Sequence, residues 1–438
     1  MIHQLRLLAL SFLLGTASLA QGQNLSTISQ KETTRLVKTL SADNMQGRAT
    51  FTPGIEKAAD FIQQEFQRIG LTPLSRDKSG KGNYRQTFQL YQFTPGTPRV
   101  EAGGTAISPE QVFINTSQTA LNWSADSSRH VTVIGENNDF RETFSTLNKL
   151  QEDALVLVHP VHKELFNAYQ HHFQGVGARQ EKDKGSSKVF VLTEQSSFPA
   201  YTISVQNRVE QLPLFNVAGM IEGKRKEEIV VFSGHYDHIG ITAPVAGDSI
   251  ANGADDDASG TTAMMMLAAY YAKQPKPERT LIFVAFTAEE IGGFGSRYFS
   301  EQLNPDQIVA MFNIEMVGKP SKFGPNTAYL TGFDKSDLGT LLQQQLKGSP
   351  YAIHPDPYPE QNLFYRSDNA TLARLGVPAH TISSVQIDQD ETYHTVKDEF
   401  ELLHMSHLTN MIKAIALATQ GVVNGRDTPS RIDKTLVK

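Results

Sequence analysis

Histidine, aspartate and glutamate recur at three places in the middle of the chain, each where an apolar run meets a turn. They are GHYDH (234–238), GADDDASGT (253–261) and the glutamate pair that closes LIFVAFTAEE (281–290). Glu315 follows in NIEMVG and His394 in DETYHTVKDEF. Imidazoles and carboxylates in this number suit a borderline divalent cation such as zinc in a catalytic role, and a metal-assisted hydrolase also needs one carboxylate left free to move protons. Each group has an ordinary explanation when taken alone. A single histidine is usually structural, adjacent glutamates are usually solvated, and acids at a helix start face its positive end. Glu315 is less ordinary, because an acid at the end of an apolar strand needs a partner. Their joint occurrence, in this order, points to catalysis.

The elements that must position these groups read as an α/β pattern. Candidate strands span 217–221, 229–232, 281–286, 311–314 and 379–382. Continuous apolar runs of this kind are buried on both faces, as in a mixed, mostly parallel central sheet covered by helices on both sides. His235, Glu289, Glu290 and Glu315 then all lie at strand ends, where functional groups gather in open sheets. Helices are expected over 24–40, over 55–69 with Gly70 at its end, and over 258–272, whose Met264, Met265, Met266 and Leu267 mark a deeply packed element.

Between 91 and 212 the texture changes to short runs (131–134, 154–158, 188–192, 200–203) separated by Ser, Asn, Gly and charged residues, which reads as an inserted β-rich domain. His159, His162, His171 and His172 fall inside it, but Pro160 argues against a helical pair and no acidic partner pattern accompanies them, so they read as surface histidines.

At 438 residues the chain exceeds one ordinary domain. Its formal net charge of -6 gives no basic footprint for nucleic acid. Arg6, an apolar run over 7–14 and small residues up to Ala20 match a secretory signal peptide over 1–20, and the run is too short to span a bilayer, which takes about 20 residues. Export is therefore expected, to the periplasm or the medium, with no stable membrane insertion. The chain has no cysteine, so any metal is held by His, Asp and Glu.

Together GHYDH, NGADDDASGT, FTAEEIGGFGS, NIEMVG, RSDNATLARLGVPA and YHTVKDE, with the early MQGRATFTPG segment, resemble the zinc aminopeptidases with co-catalytic metals. That family also includes glutamate carboxypeptidases, glutaminyl cyclases and the catalytically silent transferrin receptors. The resemblance implies a zinc exopeptidase fold over 21–90 and 213–438, with a protease-associated-like domain at 91–212. It implies two zinc ions per chain bridged by Asp256, with His235 and Glu315 completing one site and Glu290 and His394 the other. Glu289 would be the general base, Asp237 the carboxylate that orients the His235 imidazole, and Tyr393 a phenol that stabilises the oxyanion. The implied reaction removes the first residue from peptides with a free N-terminus. A carboxypeptidase or dipeptidase of the same family, a glutaminyl cyclase and a non-catalytic binding protein are the alternatives. Two positions depart from the family pattern: Glu315 stands where Asp is usual, and Asn369 where many members have His.

Overall fold

The computed structural model describes residues 25–76, 79–125 and 130–437. The signal-peptide reading over 1–20 lies outside them. Among the described residues no helix is long and apolar enough to cross a membrane.

Nine strands of the main sheet carry the argument: β1 (Arg85–Thr94), β2 (Gly177–Arg179), β3 (Arg208–Ile221), β4 (Arg225–His235), β5 (Arg279–Phe286), β6 (Ile308–Ile314), β7 (Thr327–Leu330), β8 (Ala352–Pro355) and β9 (Ala379–Ser383). Their spatial order is β2-β1-β3-β5-β4-β6-β9-β7-β8, and Thr72–Pro73 adds a further short strand beside β3. Parallel pairing holds the centre, where β4 lies between β5 and β6 and β6 pairs with β9. The flank built from β1, β2 and β3 is antiparallel, so the sheet is mixed with its parallel part confined mainly to the middle. That middle carries the fully buried runs, because only strands covered on both faces keep apolar side chains on both.

Helices Gln30–Leu40, Pro53–Ile69, Gly260–Tyr271 and Met405–Ala418 pack on one face, through a core that includes Phe232, Phe283 and Phe312. Phe299, from helix Phe294–Glu301, and Leu372, from helix Asn369–Arg374, cover the other face against Val231, Val284 and Met311. Helix Gly260–Tyr271 has only Ala269 short of full burial, which accounts for its lack of an amphipathic stripe. Gly70, at φ +86°, closes helix Pro53–Ile69 in the left-handed conformation that glycine adopts without strain.

The inserted module contains two four-stranded sheets. One joins Val112–Asn115, Lys188–Leu192, Ala154–Val158 and His130–Ile134, and the other joins Thr105–Ile107, Arg99–Ala102, Tyr201–Gln206 and Ala120–Ser124. Leu155, Leu157, Val189 and Val191 of the first meet Val100, Trp123, Ile203 and Val205 of the second. Two helices, Phe140–Lys149 and Lys163–Gln174, cover the far face of the first sheet through Phe140, Phe144 and Phe166. The module is not hung on a loop. Strands β1 and β3 pair over ten residues, from Arg85 opposite Val217 to Thr94 opposite Arg208, and run unbroken from the main sheet into it.

Candidate metal centre

Three strand ends and one acidic turn meet above the middle of the sheet. His235 ends β4, the glutamate pair follows β5, and Glu315 follows β6. The acidic turn Asp255–Asp257 precedes helix Gly260–Tyr271, and its three carboxylates have separate jobs. Asp257 ties the strand ends together, accepting from the backbone N–H of His235 (3.1 Å), Gly260 (3.1 Å) and Met316 (3.1 Å). Asp255 accepts from Gly318 N (2.7 Å) and from the Ser259 hydroxyl (3.1 Å). Asp256 alone turns its carboxylate to the histidines, with Oδ1 3.1 Å from His235 Nε2 and Oδ2 3.3 Å from His394 Nε2.

Ligand atoms of His235, Asp256 and Glu315 converge within 4.8 Å of one another, and so do those of His238, Asp256 and Glu290. Asp256 is common to both groups. His394 joins the second, its Nε2 3.0 Å from Glu290 Oε2, so the sequence-derived residues are brought together around one shared carboxylate. Glu315 reaches the centre in spite of its longer arm. The residues fit a cation on an observation of their own: Glu315 Oε2 is buried without a hydrogen-bond partner, and His235 Nε2, equally buried, faces only the Asp256 carboxylate. Such atoms cost about 1–3 kcal/mol each when left unsatisfied, and a bound metal removes that cost.

The charge balance agrees. Burial, reinforced by Glu315, Asp368 and Glu290 and opposed by His235, pushes the Glu289 carboxyl well above its usual range. Burial also lifts Glu315, to about 7, with Asp256 and Asp368 adding to the effect. Divalent cations held here would add positive charge beside these carboxyls.

Asp237 differs from expectation. The ring nitrogen Nδ1 of His235 donates to the Asp237 backbone carbonyl at 3.1 Å, and the carboxylate stands at 3.9 Å. That carboxylate instead accepts from the backbone N–H groups of Glu289 (3.2 Å) and Glu290 (3.3 Å), fixing the glutamate turn against the histidine turn. The other side of the same turn is held by Asn216, whose amide bridges Thr287 N (3.2 Å) and Gly295 O (2.9 Å). A Cβ at Gly295 would lie 2.3 Å from both the Asn216 amide oxygen and the Thr287 carbonyl, so only glycine fits there. Tyr393 stacks on the His394 ring at 3.9 Å between centroids and, with Glu315, lines a small pocket bounded by Met316, Leu363, Val385 and Ile387. Asn369 is a scaffold residue, buried and bonded to the carbonyls of Phe364 and Ala379 and to the Thr381 hydroxyl.

Three contributors were not singled out from the sequence. His238 is fully buried with Nδ1 2.7 Å from Glu290 Oε1 and 3.8 Å from Asp256 Oδ2, opposite the more open His394, whose side chain is 40% exposed. Access to the centre is therefore from the His394 side. The available signal was its place three residues beyond His235 in one turn. Asp398 receives the N–H groups of Asp255 and Asp256 (2.9 Å for the latter), so the segment that carries His394 also sets the acidic turn. Arg48 is buried beneath the centre and donates to the carbonyls of Tyr236 (2.8 Å), Leu40 (2.8 Å) and Gly253 (2.9 Å), and also to Asn252. Burial lowers its pKa, an effect opposed by Asp256, Asp398, Asp257 and Asp237. Replacing Arg48 by Met leaves several buried carbonyls and those carboxylates without their cation. The expected loss is about 3–5 kcal/mol, the range for breaking a buried charged network, read from the urea midpoint at constant m-value; a change within 0.5 kcal/mol would show that Arg48 does not hold the two loops.

The four histidines of the module do not assemble. His162 Nε2 contacts the Gly135 carbonyl at 2.9 Å, and His159 Nδ1 accepts from Val161 N at 3.3 Å.

Residues 216–419 match the description Peptidase family M28. Leucine aminopeptidase 1 of Penicillium rubens is 27% identical over 215 residues, 45% of this chain and 54% of the relative. The vacuolar membrane protease of Schizosaccharomyces pombe is 26% identical over 224 residues, 50% of this chain and 24% of the relative. The chain thus spans about half the length of the first of these relatives and a quarter of the second. Among solved structures, an aminopeptidase from Aneurinibacillus sp. strain AM-1 superposes with a TM-score of 0.56 at 19% identity, covering 96% of this chain and 98% of its own. A peptidase M28 precursor from Shewanella amazonensis SB2B gives 0.52 at 14% identity, covering 93% and 98%. These two likenesses are of fold, and the fold is that of the zinc exopeptidases. The stretch matched in sequence contains His235, Asp256, Glu289, Glu290, Glu315 and His394 together, and residues 216–419 are a peptidase family M28 domain.

Proposed function

We propose that the protein is an exported aminopeptidase that holds two zinc ions and removes the first residue from peptides with a free N-terminus. The observation that carries this reading is the convergence of two ligand groups on the single carboxylate of Asp256. His235 and Glu315 would complete one site, and Glu290 with His394 the other, with His238 behind them. Two divalent cations held there would polarise the scissile carbonyl and acidify the attacking water. Glu289 lies in neither ligand group, yet its carboxyl interacts electrostatically with His235 and Glu315. That leaves it free to accept the proton of the water and return it to the departing amine, the role that a carboxylate beside the reacting atoms performs. Tyr393, stacked on His394 at the open side, would donate to the developing oxyanion. Leucine aminopeptidases among the relatives support the reaction class. The segment 91–212 is read as a protease-associated-like module beside the site.

The test is amino-acid release from a leucyl peptide and from its N-acetylated form. Chelation is expected to abolish release from the free peptide and added zinc to restore it, with the acetylated peptide resistant throughout. Undiminished release after chelation would remove the metal from the mechanism. Release of the last residue from the acetylated peptide would instead make the protein a carboxypeptidase.

A further inference from the structure

A cavity of about 330 Å³ opens between the inserted module and the turn that carries Glu290. Its volume lies at the lower end of the range of about 300–1,000 Å³ common for small-ligand sites. Its walls are mixed, with Phe93, Phe173 and Val205 beside His172, Gln174 and Asn207, and Ile291 from the turn after β5. Glu290 is itself part of the lining, so the cavity adjoins the metal centre. Among the described residues that line it, Arg179 is the one arginine or lysine.

Arg179 is half-buried, and the described residues give it no ion pair. Its one hydrogen bond runs from Nη1 to the Ala178 carbonyl at 2.8 Å, and burial alone pulls its pKa down, with no neighbouring carboxylate to offset it. Most half-buried cations are paired, because withdrawing a charge from water without a partner is costly. The residue is also rigidly mounted. It ends β2, in register with Tyr91 of β1, so its guanidinium stands on the same sheet that positions the metal ligands. A guanidinium fork without an ion pair on a cavity wall pairs best with a planar anion, above all a carboxylate.

We propose that this cavity receives the leaving part of the peptide and that Arg179 pairs with a carboxylate on it, which makes short acidic or free-carboxylate peptides the preferred substrates. This rests on the aminopeptidase reading. The anion comes either from the C-terminus of a short peptide or from an acidic side chain just beyond the scissile bond, and both present the same chemistry to the guanidinium.

Matched substrates separate these sources and separate the inference from the reading beneath it. They are Leu-Ala-Ala against its C-terminal amide, Leu-Glu-amide against Leu-Gln-amide, and leucine p-nitroanilide, which has no carboxylate. The wild-type protein is expected to favour one or both carboxylate members by about ten- to a hundredfold in kcat/KM, the value of a charge-assisted hydrogen bond, chiefly through KM. In Arg179→Leu the ratio of carboxylate to amide substrate falls to about one, and Arg179→Lys retains part of it. Preference for Leu-Ala-Ala alone identifies the C-terminal carboxylate, and preference for Leu-Glu-amide alone identifies the side chain. Cleavage of the anilide without any carboxylate preference overturns the role of Arg179 and leaves the aminopeptidase reading intact. An Arg179→Leu protein that keeps the preference, or loses the anilide and the peptides equally, also overturns it. No release from any of the five substrates overturns both.

Discussion

Replacing Glu289 by Gln is expected to lower kcat by about 10²–10⁴-fold, the usual contribution of a general acid–base group, while zinc content stays at that of the wild-type protein. The amide has the shape of the acid but cannot accept a proton. The fold of the turn does not rest on the carboxylate, because the main-chain N–H of Glu289 carries its bond to Asp237, and neither candidate ligand group includes it. Substrate affinity should change little, so the loss falls on turnover. Measuring kcat, KM and zinc in one preparation separates this role from ligation. A variant that has lost zinc would make Glu289 a ligand, and one with near-normal kcat would remove it from proton transfer.

Asp256→Ala has the broader expected effect, which is loss of both metals together. Outlying partners of metal ligands cost about 10–100-fold in affinity when removed, and the carboxylate common to two sites must cost more, at each of them. Zinc retained after dialysis should fall close to zero, and activity with it. Glu315→Ala provides the contrast, since it touches only the group with His235 and should leave about one metal behind. The backbone at 256 does not depend on its side chain, because its N–H is held by Asp398 at 2.9 Å. Retention of one full equivalent by Asp256→Ala would mean that the carboxylate is not shared.

The legible part of the fold is the part whose burial is uniform. Runs such as 281–286 and 311–314 are apolar at almost every position because β5 and β6 are covered on both faces, and composition alone records that. The residues expected to hold metal were singled out through motif and strand-end position, and the structure brings His235, Asp256, Glu290, Glu315 and His394 into one place. Other features depend on partners distant in the chain. Asp255, Asp256 and Asp257 are identical side chains in sequence, and what distinguishes them is that Gly318, the histidines and Met316 arrive from elsewhere. Arg48, within MQGRATFTPG, was not singled out because its acceptors lie up to about two hundred residues away. The module was read for strands, and its helices Phe140–Lys149 and Lys163–Gln174 went unseen although Phe140, Phe144 and Leu147 recur at helical spacing. Asp237 was assigned by its carboxylate, and it is the peptide carbonyl that faces the imidazole.

The outermost members of the main sheet are short. β2 has three residues and ends in an arginine, and β8 has four and ends in Pro355, which has no N–H to offer. A sheet of this width would otherwise present two rows of unsatisfied peptide groups, the template on which separate molecules stack edge to edge into aggregates. Here each rim is too brief to seed such stacking, and one is chemically capped.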